Sequence, residues 1–203
     1  MTTPTPSLPA NDNPTVVRLF EAAADAFADK GFHATTTRDI ASRAGLSAAG
    51  VYVHFASKED LLFQLSRVGH EEARDALAAA AAQAGSPSSA LAEVISAFAR
   101  WHAEQHQVAR IVQYEFRHRS PEHRREVLTL RREIDAVVER IITDGVDSGE
   151  FLVDDIGTTA LAALSLVVDV ARWYHPGIRR TPADIGAAYG LLALRLVGAR
   201  VTP

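Results

Sequence analysis

The chain has 203 residues, 47% hydrophobic and 23% charged, with a formal net charge of −4. This is globular composition, with room for one compact domain of ordinary size or for a small one beside a larger one. There is no cysteine, which excludes disulfides, cysteine nucleophiles and thiolate metal sites.

Residues 1–13, from the stretch MTTPTPSLPANDNP, carry neither a positive charge nor an apolar run. They read as a disordered tail, not as a signal peptide. Asn13 before Pro14 is a capped helix start with proline at the first helical position. Val16, Leu19, Phe20, Ala23 and Phe27 then recur at helical spacing, and Gly31 ends the run.

Residues 36–62, TTRDIASRAGLSAAGVYVHFASKEDLL, carry the most information. Thr36 and Asp39 have capping-box spacing, so a helix starts at Thr37. Ile40, Ala41 and Ala44 give it an apolar face, and Gly45 supplies the residue that ends it in a tight turn. Ser47 caps a second helix with Val51 and Phe55 on its inner side. Ser57 and Asp60 repeat the capping spacing and open a third helix, with Lys58 in its first turn. Two short helices joined by a glycine turn, then a separately capped third, is the layout of a helix-turn-helix. Ala48, Ala49 and Gly50 leave the outer side small enough for backbone to approach base edges. Tyr52 and His54 are placed to reach flanking phosphates, and Lys58 at a helix start makes a phosphate site.

Beyond this stretch the chain reads as helix almost throughout. The third helix extends to about residue 82, and QAGSPSS marks a loop. Helices follow over about 88–106, 108–119, 121–149, 154–174 and 182–198, with His175-Pro176-Gly177 as a break. There is no strand-like alternation, no internal repeat and no uninterrupted apolar run near the length of a membrane span. The expected fold is all-α with about nine helices. The expected organisation is a tail (1–13), a helix-turn-helix domain (14–62) and a ligand-binding and dimerisation domain (63–203).

A helix ending in KGF, then TT-RDIA, AG-S, G-Y-HF and SKE-LL, resembles the amino-terminal domain of TetR-family transcriptional regulators over residues 14–65. The resemblance implies a cytoplasmic, homodimeric regulator of a palindromic operator, most often a repressor released by a small molecule. It implies DNA contacts from Thr37 and Arg38, then from Ser47, Ala48, Ala49 and Gly50, with Tyr52, His54 and Lys58 on phosphates. Many members carry a basic residue near positions 48 and 49, whereas this chain has alanines there. More of the readout then falls to Arg38, Ser47 and DNA shape. Charge is also unusual for a DNA binder. Residues 14–62 hold five Lys/Arg (Arg18, Lys30, Arg38, Arg43, Lys58) against six acids, so weak non-specific affinity and a modest salt dependence are expected.

Residues 156–170 and 185–197 are apolar on nearly every side, so something must bury them. They are either core helices of a monomer or, as the resemblance implies, a helix pair that forms the dimer interface. Phe63, Phe98, Trp101, Tyr114, Phe116 and Trp173 are candidates for an effector cavity or for plain core. Arg117, Arg119, Arg124, Arg125, Arg131 and Arg132 form the densest basic run. It is either a solvated face paired with Glu122, Glu126 and Glu133 or, through Arg117 and Arg124, a seat for phosphates of a bulky anion. The carboxy-terminal half also resembles, more loosely, the TetR subgroup that answers to acyl-CoA thioesters.

Enzyme chemistry finds little footing. His102 and His106 have i, i+4 spacing, but Ala103 stands where a zincin has glutamate. Glu115 and His118 form one Glu-x-x-His where a di-iron bundle needs two. GxSxG, P-loop and GxGxxG motifs are absent. Catalytic residues, metals and cofactors are therefore expected to be none. A helical interaction module that has lost DNA binding and, behind it, a metal-binding bundle enzyme remain the alternatives.

Overall fold

The computed structural model describes residues 13–114 and 120–199. The tail over 1–12 and Glu115, Phe116, Arg117, His118 and Arg119 lie outside these described residues. All regular structure within them is helical: α1 (Pro14–Ala34), α2 (Thr37–Arg43), α3 (Ala48–Tyr52), α4 (Lys58–Gln83), α5 (Pro87–Glu104), α6 (His106–Tyr114), α7 (Pro121–Asp147), α8 (Ile156–Trp173) and α9 (Pro182–Leu196). The all-α expectation holds, and most ends fall within a residue or two of their sequence signals. Asn13, Thr36, Ser47, Ser86, Asp155 and Thr181 each accept a backbone N–H as N-caps, satisfying donors that a helix start leaves open.

The chain divides into two compact units: 1–72 with 107–129, and 73–106 with 130–203. In the first, Leu19, Phe27, Ile40, Val51, Phe55, Leu61, Leu62 and Leu65 are all nearly inaccessible and form one core with Val108, Ile111 and Val112 of α6. Phe20 packs edge-on against Phe55 at 5.3 Å, which seats the end of the α3 turn on α1.

The second unit is built around α5, which packs chiefly against α9 and then α8. Leu91, Val94, Ile95 and Ala99 face Leu164, Val167, Val170 and Ile185 in its core. Close approach of α9 to α5 depends on two glycines. A Cβ on Gly186 would lie 2.7 Å from the Ser96 carbonyl oxygen, and one on Gly190 would lie 2.7 Å from that of Ala92. Either would force the helices apart. The opposite sides of α8 and α9 keep Leu161, Leu166, Leu191, Leu192 and Leu196 between 43% and 65% exposed. α8 is long and apolar enough to cross a membrane by length and composition alone, yet it carries Asp169 paired with Arg172 near its end. Neither helix is therefore a fully enclosed monomer core element: each buries one side and presents leucines on the other.

Candidate nucleic-acid interface and effector site

The helix-turn-helix is assembled by local chemistry. Thr36 Oγ1 accepts from the Asp39 N–H at 3.1 Å, and Asp39 Oδ2 accepts in return from the Thr36 N–H at 2.8 Å. Asp39 also takes the Lys30 ammonium at 2.8 Å. That ion pair and the Thr36 bonds hold its carboxyl far below the usual carboxylate range. At the other end of α2, Gly45 adopts φ +67. The Leu46 N–H then reaches back to the Ala41 carbonyl at 2.9 Å, and the Gly45 N–H to that of Ser42 at 3.3 Å. This paired closure satisfies the last carbonyls of α2 and turns the chain into α3. Ser47 Oγ accepts from the Gly50 N–H at 3.1 Å, so α3 starts at Ala48 as the sequence requires.

The outer surface follows from these caps. Arg38, Ser47 and Ala49 are exposed, and Thr37, Ala48, Gly50 and His54 are half-buried. Tyr52 is 56% exposed, with its hydroxyl 3.4 Å from Thr37 Oγ1, so the start of α2 and the end of α3 present neighbouring hydroxyls. Among the described residues Arg38 makes no ion pair or hydrogen bond, whereas Lys30 and Arg43 are paired to Asp39 and Asp29. Val53 is the most exposed apolar side chain of this surface at 78%. Sequence reasoning passed over it because it directly follows α3, where periodicity no longer ranks positions.

Lys58 differs from expectation. Its ammonium donates to the Phe32 carbonyl at 2.6 Å and the Thr35 carbonyl at 2.7 Å, and it lies 4.4 Å from the Phe32 ring centre. The carbonyls at the end of α1 carry partial negative charge and attract the amine inward. In this conformation Lys58 ties α4 to α1. Ser57 does cap α4 through the Asp60 N–H at 2.9 Å, but the Asp60 carboxylate accepts from Ala56 instead of closing the box on Ser57.

The candidate effector residues separate. Phe98, Trp101 and Trp173 pack on the core of the second unit, with the Phe98 and Trp101 ring centres 6.4 Å apart. Phe63 belongs to the first unit, where it stacks flat on His123 at 3.8 Å. His123 Nδ1–H donates to Glu59 at 2.9 Å, and the Ser120 N–H adds a bond to the same carboxylate at 3.2 Å. Arg124 is half-buried and also belongs to the first unit. Arg117 lies outside the described residues, as does the side chain of Tyr114. Glu133, expected to answer the arginine run, pairs instead with Arg74 at 2.9 Å. Desolvation lowers Arg131, and the nearby Asp135 charge opposes this.

Missed by the sequence is a polar group within the second unit: His102, Gln105 and His106 are each less than 8% exposed. His102 Nδ1–H donates to the Phe98 carbonyl at 3.0 Å, and burial pushes its pKa down to about 4. His106 Nδ1–H donates to the Ala103 carbonyl at 3.0 Å, and its ring meets Tyr174 edge-on. The i, i+4 histidine pair was the available signal. Among the described residues no group of three potential metal ligands forms.

Residues 19–65 match the model of bacterial regulatory proteins of the TetR family, and residues 84–197 match that of the tetracyclin repressor-like C-terminal domain. The chain belongs to the TetR family. This TetR-family member is a DNA-binding transcriptional regulator and not an enzyme. It is 39% identical to a TetR-family regulatory protein from Rhodococcus RHA1, whose structure covers 92% of this chain and 98% of that one with a TM-score of 0.87. It is 30% identical to the transcriptional repressor KstR2 of Mycolicibacterium smegmatis over 94% of this chain and 92% of the relative. The structure of FadR from Bacillus subtilis in complex with stearoyl-CoA shares the fold at 22% identity, covering 89% and 97% of the two chains with a TM-score of 0.74.

Proposed function

We propose that this regulator is a homodimeric, cytoplasmic repressor that binds a palindromic operator through α2 and α3 and leaves it when an acyl-CoA thioester binds the second unit. The observation that carries the DNA-binding part is the outer surface of α2 and α3. One unpaired, exposed arginine stands beside a strip of alanine and glycine, flanked by the hydroxyls of Ser47, Thr37 and Tyr52. Arg38 and Ser47 supply base or phosphate contacts, the strip lets backbone approach the groove, and Tyr52 and His54 hold phosphates. Lys58 acts indirectly, by fixing where α4 begins. The tail, the helix-turn-helix over 14–62 and the effector and dimer region over 63–203 are the working parts of this reading.

Dimerisation is supported by the five outward leucines of α8 and α9. A helix-turn-helix gains most of its affinity by engaging two half-sites at once, a helical turn apart. The thioester class is supported by the stearoyl-CoA bound to the FadR fold neighbour and by the aromatic side chains Phe98, Trp101 and Trp173 in the second unit.

The test is an anisotropy titration of the full chain against the DNA upstream of its own coding sequence, with and without a panel of acyl-CoAs. Binding relieved by one thioester supports the whole reading. Binding without relief removes the acyl-CoA part alone, and no binding at low salt favours a helical module without DNA recognition.

A further inference from the structure

The fold of the second unit leaves one polar group unanswered. Gln105 follows the last residue of α5, and its backbone N–H closes that helix on the Trp101 carbonyl at 2.8 Å. Its side-chain Oε1 is buried without a hydrogen-bond partner, the only such side-chain atom among the described residues. The whole residue is only 6% exposed. A buried acceptor left without a donor is destabilising, whereas leucine at this position carries no such cost. Any group with a donor, a water or part of a ligand, completes the site.

A second acceptor lies one turn earlier. His102 uses Nδ1–H on the Phe98 carbonyl, so its neutral ring presents Nε2 as a lone-pair acceptor. No described residue donates to that nitrogen. The ring is framed edge-on by Phe98 at 4.4 Å and Trp101 at 5.0 Å. Burial keeps it uncharged at neutral pH, so it attracts no anion.

The chemistry of this corner selects among ligands. A plain hydrocarbon chain leaves both acceptors unanswered, and so does a ketone or ester carbonyl, which is itself an acceptor. A hydroxyl answers them: its proton goes to Gln105 Oε1 or His102 Nε2, and its oxygen accepts from the Gln105 amide. We propose that the part of the effector buried in the second unit carries a hydroxyl group, seated by Gln105 and His102 at the end of α5. The choice of probe rests on the acyl-CoA reading above, and the seat itself rests on the orphaned amide.

The experiment is calorimetric titration of the full-length protein and of Gln105→Leu with decanoyl-CoA, 3-hydroxydecanoyl-CoA and 10-hydroxydecanoyl-CoA. The wild type is expected to bind one hydroxylated form about tenfold more tightly than decanoyl-CoA, the worth of one recovered hydrogen bond. Gln105→Leu is expected to erase that preference, to leave decanoyl-CoA affinity within about threefold and to melt at a higher temperature. Gln105→Met serves if the leucine variant does not fold. Equal binding of all three by the wild type, or a preference that survives the substitution, overturns the hydroxyl seat and leaves the acyl-CoA reading standing. If none of the three binds, the acyl-CoA reading falls, and thermal shifts with the free acids decide the seat. A shift from 3-hydroxydecanoic or 10-hydroxydecanoic acid but not decanoic acid, absent in the variant, upholds it, and any other pattern overturns it.

Discussion

Gly50 separates fold from recognition at the scale of a single residue. A Cβ there would meet Ser47 Oγ at 3.5 Å and Leu46 Cβ at 3.7 Å, ordinary van der Waals distances. Gly50→Ala should therefore not lower the melting temperature and, inside a helix, should raise it slightly. If the backbone of α3 lies against DNA, the added methyl should still weaken operator binding by about tenfold, a loss of some 1.4 kcal/mol. Tyr52→Ala removes a side chain that is more than half exposed, so operator affinity should fall without any change in the dimer. Unchanged binding by both variants, measured by anisotropy, would remove α3 from the interface. His102 makes a prediction of another kind. Folded, it releases its proton near pH 4, against 6.5 for the ordinary side chain. Between those values the unfolded chain binds the extra proton, so stability is lost as pH falls through that window, by about 3 kcal/mol. His102→Leu should flatten this part of the curve in denaturant titrations run from pH 7 to pH 4, and an unaltered slope would refute the assignment.

Among the helices, α4 and α7 contribute residues to both compact units. Inside the first unit their starts are clasped by Glu59, which takes both the Ser120 N–H and the His123 ring, while Phe63 stacks beneath that ring. An effector alters DNA affinity only by favouring one of two arrangements, and Glu59 is the residue whose substitution tests whether this clasp takes part. Glu59→Gln keeps the shape and removes the charge. We predict operator affinity within about threefold of wild type but at least a fivefold smaller release by effector, the low end of ordinary coupling energies. Full release in this variant would exclude the clasp from the coupling. The clasp also shows where sequence reasoning stops. Capping boxes and the Gly45 turn span three to six residues, so α2 and α3 were legible from spacing alone. Glu59 and His123 are 64 positions apart, and no periodicity announces such a meeting. Phe63 reads as cavity lining or plain core for that reason, because an apolar stripe reveals which side faces inward but not what it meets. Lys58 is open in the same way: a lysine in a first turn can face outward or fold back onto the preceding helix, and here it reaches the carbonyls of Phe32 and Thr35.

For the whole molecule, the outward leucines are where the proposed dimer is tested. Leu166 and Leu192 line the same shallow apolar depression with Ile95 and Tyr189, and each is about half exposed. Burying such a side chain against a second copy is worth roughly 1 kcal/mol or more, and a charge there would be costly to bury. Leu166→Glu with Leu192→Glu should give a folded monomer in sedimentation experiments and lower operator affinity by more than an order of magnitude. A dimer that persists would place the interface elsewhere. The two sides of α9 are under different constraints. On the inner side, Gly186 and Gly190 meet the backbone of α5 and admit no larger residue. On the outer side, leucines can be exchanged without disturbing that fit. A change of partner surface on α9 would therefore leave the α5–α9 packing as it is.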